Sequence, residues 1–101
     1  MKKILLCCGS GASSGFMAQR AQEAAKKRGL DYNIKARSES EVEDYIDELD
    51  LVLLGPHFAH RLEAVKDIAG EYNVPVDLIK GEVYGSLDGD GLISQIEEIL
   101  G

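Results

Sequence analysis

Apolar residues arrive in short runs of two kinds, and their alternation predicts the elements of the chain. Ile4-Leu5-Leu6-Cys7-Cys8 and Leu51-Val52-Leu53-Leu54 are continuous, as in strands covered on both faces. Tyr32, Ile34 and Ala36 alternate with Asn33, Lys35 and Arg37, and Val74 to Ile79 is a short run with Pro75 near its start. Both read as edge strands. Between these runs the spacing becomes helical. Phe16, Met17, Ala21, Ala24 and Ala25 mark one helix, with Ser13 or Ser14 as its N-cap and Lys26 to Gly29 as its close. Ser38 and Glu41 have capping-box spacing and introduce a short helix with Val42, Tyr45, Ile46 and Leu49 inward. Gly55-Pro56 turns the chain into a helix with Phe58, Leu62, Val65 and Ala69 on one face, ending at Gly70. Lys80 to Gly89, with its glycines and Tyr84, reads as a loop. Asp88 or Asp90 then caps a last helix with Leu92, Ile93, Ile96, Ile99 and Leu100 inward.

Strand and helix alternating in this way predict an α/β three-layer sandwich, with a four-stranded parallel sheet, right-handed crossovers and helices on both faces. Two buried and two edge-like strands give the order 2-1-3-4. The chain then reverses direction between strands 1 and 3, and ligands of such sheets bind there, at the carboxyl ends of the strands. The loops that begin at Cys8, Gly55 and Ile79 fall on that one rim.

Composition narrows the picture. A chain of 101 residues with 45% apolar content fits one domain, residues 1–101. A net charge of -7 argues against a nucleic-acid partner. The apolar run after Lys2 and Lys3 is too short for a signal core, and no later run reaches a membrane span, so a soluble cytoplasmic protein is expected. Adjacent Cys7 and Cys8 are no disulfide framework, and a reducing compartment keeps both as thiols.

The candidate chemistry lies in Cys8-Gly9-Ser10-Gly11-Ala12-Ser13-Ser14-Gly15. Small residues let successive backbone N–H groups turn around a phosphate, while the helix that follows points its positive end at the same place. The same groups favour the Cys8 thiolate, which is both a nucleophile and a good leaving group, and so suits the carriage of a phosphoryl group. Gly9, Ser10, Gly11, Ala12, Ser13, Ser14 and Gly15 are the expected phosphate-binding residues. Alternation turns Cys7 away from this loop, as core filler. Pro56, His57 and Tyr84 are candidate contacts for the site or a partner. His57 and His60 lack the companions that a metal site needs, and no metal or cofactor is expected.

Three blocks together carry a resemblance: the strand-1 cysteine with Gly11, Ser13 and Ser14 after it, then Asp50-Leu51-Val52-Leu53-Leu54-Gly55-Pro56, then Tyr84-Gly85 followed by Asp88-Gly89. Over nearly its whole length the chain resembles the enzyme IIB components of the bacterial phosphoenolpyruvate-dependent sugar phosphotransferase system, of the lactose, cellobiose and chitobiose class. The resemblance implies that Cys8 accepts a phosphoryl group from a phosphohistidine of enzyme IIA. It implies donation to a sugar held by membrane enzyme IIC, by a domain that acts as a monomer and does not itself enter the membrane. The family loop usually reads Gly-Met-Ser-Thr-Ser where this chain has Gly11 to Gly15, and Gln usually stands where it has His57. A low-molecular-weight phosphatase or arsenate reductase is the nearest alternative, but its loop requires Cys-x5-Arg and Ser14 stands at the arginine position. A non-catalytic anion-binding module is the other.

Overall fold

The structure, a computed structural model, describes residues 1–7, 12–38 and 41–100, and for residues 12–14 the backbone alone. Four parallel strands, β1 (Lys2–Cys7), β2 (Tyr32–Arg37), β3 (Leu51–Leu54) and β4 (Val76–Leu78), form one sheet in the order β2-β1-β3-β4, as the sequence predicts. The helices are α1 (Ala12–Lys27), α2 (Val42–Tyr45), α3 (Leu62–Gly70), α4 (Gly81–Gly85) and α5 (Gly89–Leu100), with 3-10 segments at Ile46–Glu48 and Pro56–Arg61.

Side-chain alternation along the central strands builds two cores. Ile4, Leu6, Leu51 and Leu53 face Met17, Ala21 and Ala25 of α1 and Leu92, Ile93 and Ile96 of α5. Leu5, Cys7, Val52 and Leu54 face Val42 and Ile46 on the other side, together with Val65 and Ala69 of α3. Cys7 is fully buried there, as core filler. Two inward assignments are corrected. Phe16 is 61% exposed, because Met17, Ala18 and Ala21 already occupy the inward arc of α1. Tyr45 is 36% exposed, because α2 is a single turn whose Val42 and continuation at Ile46 take the two buried positions.

Helix ends show where local chemistry competes with composition. In α1, α3 and α4 the chain closes with the same pair of backbone bonds: Leu30 N–H to Ala25 and Gly29 N–H to Lys26, Val74 to Ala69 and Asn73 to Gly70, Asp88 to Val83 and Leu87 to Tyr84. This is the Schellman pattern, and Gly29, Asn73 and Leu87 supply its left-handed residue at φ 71°, 58° and 53°. Gly70, expected to end its helix, is the last helical residue instead, with Asn73 making the left-handed turn. Ser13 and Ser14 lie within the first turn of α1, so neither is its N-cap. Half of the capping box before α2 is seen, the Ser38 N–H donating to the Glu41 carboxylate at 3.1 Å, while the Glu41 N–H donates to the Ser38 carbonyl at 2.9 Å. Asp88 rather than Asp90 caps α5, its carboxylate accepting from the Gly91 N–H at 3.0 Å.

Two details fix how the layers meet. The outer edge of β2 is met by Gln22, whose amide nitrogen donates to the Tyr32 carbonyl and whose oxygen accepts from the Ile34 N–H, both at 2.9 Å. A side-chain amide thus stands where a neighbouring peptide group would. At the start of α5, Gly89 comes so close to α1 that an added Cβ would lie 2.4 Å from the Arg20 carbonyl oxygen. Backbone cannot yield as a side chain does, so Gly89→Ala is expected to cost about 1–3 kcal/mol, read as a lower urea midpoint at unchanged slope.

Tyr32 on β2 has a pKa raised above the ordinary 10.0, first by burial and then by the negative charge of Glu97. The unfolded chain releases this proton near pH 10 and the folded chain only at higher pH. The stabilisation is therefore complete below pH 10 and is lost as pH rises through the folded value. Tyr32→Phe should show a shallower loss of urea stability above pH 10 than the parent chain.

Candidate functional site at the carboxyl rim of the sheet

The candidate site depends on register. Cys7 pairs with Leu54, and Leu54 with Leu78, so three strands end at one level. The ladder continues past them, with the Gly55 N–H donating to the Cys7 carbonyl at 2.9 Å and the Ile79 N–H to the Leu54 carbonyl at 2.8 Å. The turns after β3 and β4 are thereby tied to the same rim.

After β3, buried Gly55 leads into Pro56, whose fixed φ starts the 3-10 segment. The expected single helix is broken here: Phe58 has φ -103° and ψ 19°, and regular α-helix begins only at Leu62. That break leaves His57 exposed on the rim, with its ring centroid 5.0 Å from Phe58 and 5.7 Å from Tyr84. The structure thus brings together His57 and Tyr84, which lie far apart in sequence. His60, exposed, stacks edgewise on Phe58 at 5.9 Å and makes no ring contact with Tyr84.

Tyr84 sits on α4, in the segment expected to be a loop. Its three glycines suggested irregular chain, but Val83 is buried and the Tyr84 N–H closes a turn onto the Lys80 carbonyl. Tertiary burial of one valine outweighs the low helix propensity of Gly81 and Gly85. Leu87 closes α4 with a left-handed backbone that a leucine rarely adopts, and Asp88 both ends α4 and caps α5. Tyr84 is half-buried against the core on the α1 and α5 side.

Gln95, missed in the sequence, holds this corner. It is 4% exposed; its amide nitrogen donates to the Leu78 carbonyl at 2.6 Å and its oxygen accepts from the Lys80 N–H at 3.3 Å. The signal was a polar residue on the inward arc of an otherwise apolar helix, between Leu92 and Ile96. Those bonds satisfy the backbone at the β4 to α4 turn and so set the position of Tyr84. Gln95→Leu leaves both groups without that partner; a loss of roughly 1–3 kcal/mol by urea unfolding is expected, with altered NMR shifts for the Tyr84 and His57 rings.

Cys8, Gly9, Ser10 and Gly11 lie outside the described residues, between β1 and α1 in the sequence. Described on either side are Cys7, at the carboxyl end of β1, and Ala12, which begins α1. Ala12, Ser13, Ser14 and Gly15 form the first turn of α1, whose four N–H groups have no acceptor within the helix. No acidic residue occupies that turn, so the positive end of the helix is not neutralised from within, while Lys26 and Lys27 complement its other end. An anion is well received in such a place.

Comparison with known proteins bears on the family and the fold. The family model described as "PTS system, Lactose/Cellobiose specific IIB subunit" matches residues 3–95. The galactose-specific EIIB component of the PTS system of Lactococcus lactis subsp. cremoris is 32% identical over 98% of this chain and 96% of its own. A lactose-specific EIICB component from Lacticaseibacillus casei is 28% identical over 87% of this chain, which corresponds to 15% of that longer protein. In fold the chain resembles the lactose-specific IIB domain of the phosphoenolpyruvate:carbohydrate phosphotransferase system from Streptococcus pneumoniae, with TM-score 0.87 and 18% identity, covering 96% of this chain and 95% of the other.

Proposed function

Given that this chain belongs to the lactose/cellobiose-specific IIB subunits of the PTS system, a sugar phosphotransferase family, we propose that Cys8 is its phosphoryl carrier. The donor is a phosphohistidine of a IIA component, and the acceptor is a sugar held by a membrane IIC component. The observation that supports this reading most is the common rim. There the carboxyl end of β1, which Cys8 directly follows in sequence, shares one level with the turns that present His57 and Tyr84.

In the first step the Cys8 thiolate attacks phosphorus. The S–P bond forms as the P–N bond breaks, and the departing imidazole keeps its electron pair and takes a proton. In the second step a sugar hydroxyl oxygen attacks phosphorus, the S–P bond breaks and the thiolate leaves, while the hydroxyl proton passes to a base. The transferring group carries its charge on the equatorial oxygens, so positioning and electrostatic stabilisation supply the catalysis. Gly9, Ser10 and Gly11 contribute backbone N–H groups together with the first turn of α1 at Ala12, Ser13, Ser14 and Gly15. Pro56 holds the turn that presents His57, and His57 and Tyr84 form the wall that meets an incoming partner. No metal or cofactor takes part.

Fusion of IIC and IIB in the lactose-specific EIICB relative supports the choice of IIC as a partner. Among the described residues no helix is long and apolar enough to cross a membrane. The proposal has the domain work as a monomer at the cytoplasmic face, reaching sugar through IIC. Ser14 stands where a cysteine-based phosphatase needs its arginine, so a phosphoryl group on Cys8 lacks the guanidinium that would promote its hydrolysis.

The test is mass spectrometry after incubation with phosphoenolpyruvate, the general phosphotransferase proteins and a IIA component. A phosphoryl adduct on Cys8 that is abolished in Cys8→Ser is expected. An adduct that persists in Cys8→Ser, or no adduct on the parent chain, overturns the relay. Rapid release of phosphate from p-nitrophenyl phosphate would favour a phosphatase instead.

A further inference from the structure

A cleft that runs along β2 and meets the rim only at Arg37 has the chemistry of a ligand site. Residues 33, 35 and 37 of β2 lie on the same sheet face as Lys3, Leu5 and Cys7, to which they are paired. The elements covering that face near β2 are the single turn of α2 and the 3-10 segment at Ile46–Glu48. The roof falls short, and a cleft of about 110 Å³ remains, lined by Lys3, Leu5, Lys35, Arg37, Tyr45 and Leu49, with Asn33 and Glu48 also on its wall.

Three cations face one carboxylate there, in a chain whose net charge is -7. Among the described residues, ion pairs join the Met1 amino group to Asp31 and Arg28 to Asp90 and Glu97, and none involves Lys3, Lys35 or Arg37. Arg37 is held in place without neutralisation: its guanidinium donates to the Ala36 carbonyl at 2.9 Å and lies 6.0 Å from the centre of the Tyr45 ring. Tyr45 itself stands at the surface where the sequence pattern placed it inward, so an aromatic face is presented beside the cations.

We propose that this cleft binds a sugar monophosphate. The dianionic phosphate sits between Lys35 and Arg37, with Lys3 adding to the local positive potential. The sugar ring lies over Tyr45 and the apolar surface of Leu5 and Leu49. Glu48 and the Asn33 amide take the hydroxyls. Inorganic phosphate would use the cations alone and leave the aromatic and acceptor groups without a role, so an ester is the better match. Arg37, paired with Cys7, ends β2 at the level of the carboxyl rim, while Lys3, Asn33 and Lys35 lie further down the strands, so the site adjoins the rim but does not use Cys8.

Amide NMR of the full chain, titrated with glucose 6-phosphate, tests this. Saturable shifts at Asn33, Lys35, Arg37, Tyr45 and Leu49 are expected, with a Kd of roughly 1 mM or below. Lys35→Glu, at an exposed strand position, should weaken binding about tenfold or more, with the remaining spectrum unchanged. Tyr45→Ala should weaken the ester and leave the weaker response to inorganic phosphate as it was. The proposal is overturned if the shifts do not saturate, if inorganic phosphate binds as tightly as the ester, or if Lys35→Glu binds as the parent does. It is likewise overturned if the shifts are confined to the amides flanking residues 8–11.

Discussion

Everything at the rim depends on the parallel pairing of β1, β3 and β4 in a register that ends all three strands together. Parallel strands need crossovers, and each right-handed crossover returns the chain to begin the next strand at the same end of the sheet. The carboxyl ends therefore collect on one side without any dedicated contact. What the sequence must add is a tidy exit from each strand. The bonds from Gly55 to Cys7 and from Ile79 to Leu54 supply it, extending the ladder to the first residue of each turn.

Where the sheet stops, backbone groups would be left without partners, and two glutamines answer that at opposite ends of the strand order. Gln22 satisfies β2 on its open edge, and Gln95 satisfies the turn after β4. A primary amide suits both places because it carries one donor and one acceptor in a plane, as a peptide group does. The consequences differ. At β2 the amide closes an edge that could pair with another chain, whereas at β4 it fixes the turn that carries α4 and Tyr84.

Legibility followed the range of the interactions involved. Strand order, the buried central strands and the Cys7 core position could be read because each follows from hydrophobic runs and their alternation. The Ser38 and Glu41 box and Gly29 were readable because capping is local chemistry. Phe16 and Tyr45 were misplaced because helical spacing identifies an apolar arc without saying how much of it the neighbouring layer covers. α4 was hidden by its glycines, since its helix depends on burying Val83 against distant residues. Gln95 could be read only as a polar residue on an inward arc, without its partners, and the meeting of His57 with Tyr84 is a tertiary fact that no local pattern encodes. Of the candidate site, Pro56, His57, Tyr84 and the first turn of α1 lie within the described residues, while Cys8 and Gly9 to Gly11 do not.

A carrier and a hydrolase built on one sheet face opposite demands, and this chain's residues bear on which is met. Both need a thiolate at the end of the first strand and a helix whose positive end stabilises a phosphoryl group. A hydrolase also needs a cation clamped on that group and an acid for the leaving oxygen. Here the position of the clamp is Ser14, in the first turn of α1, and the turns after β3 and β4 bring an imidazole and a phenol to the rim. The ring of His57 is exposed and that of Tyr84 half-buried, which suits the proposed contact with a partner protein. On the proposed relay, the acceptor hydroxyl and with it the choice of sugar belong to a second protein.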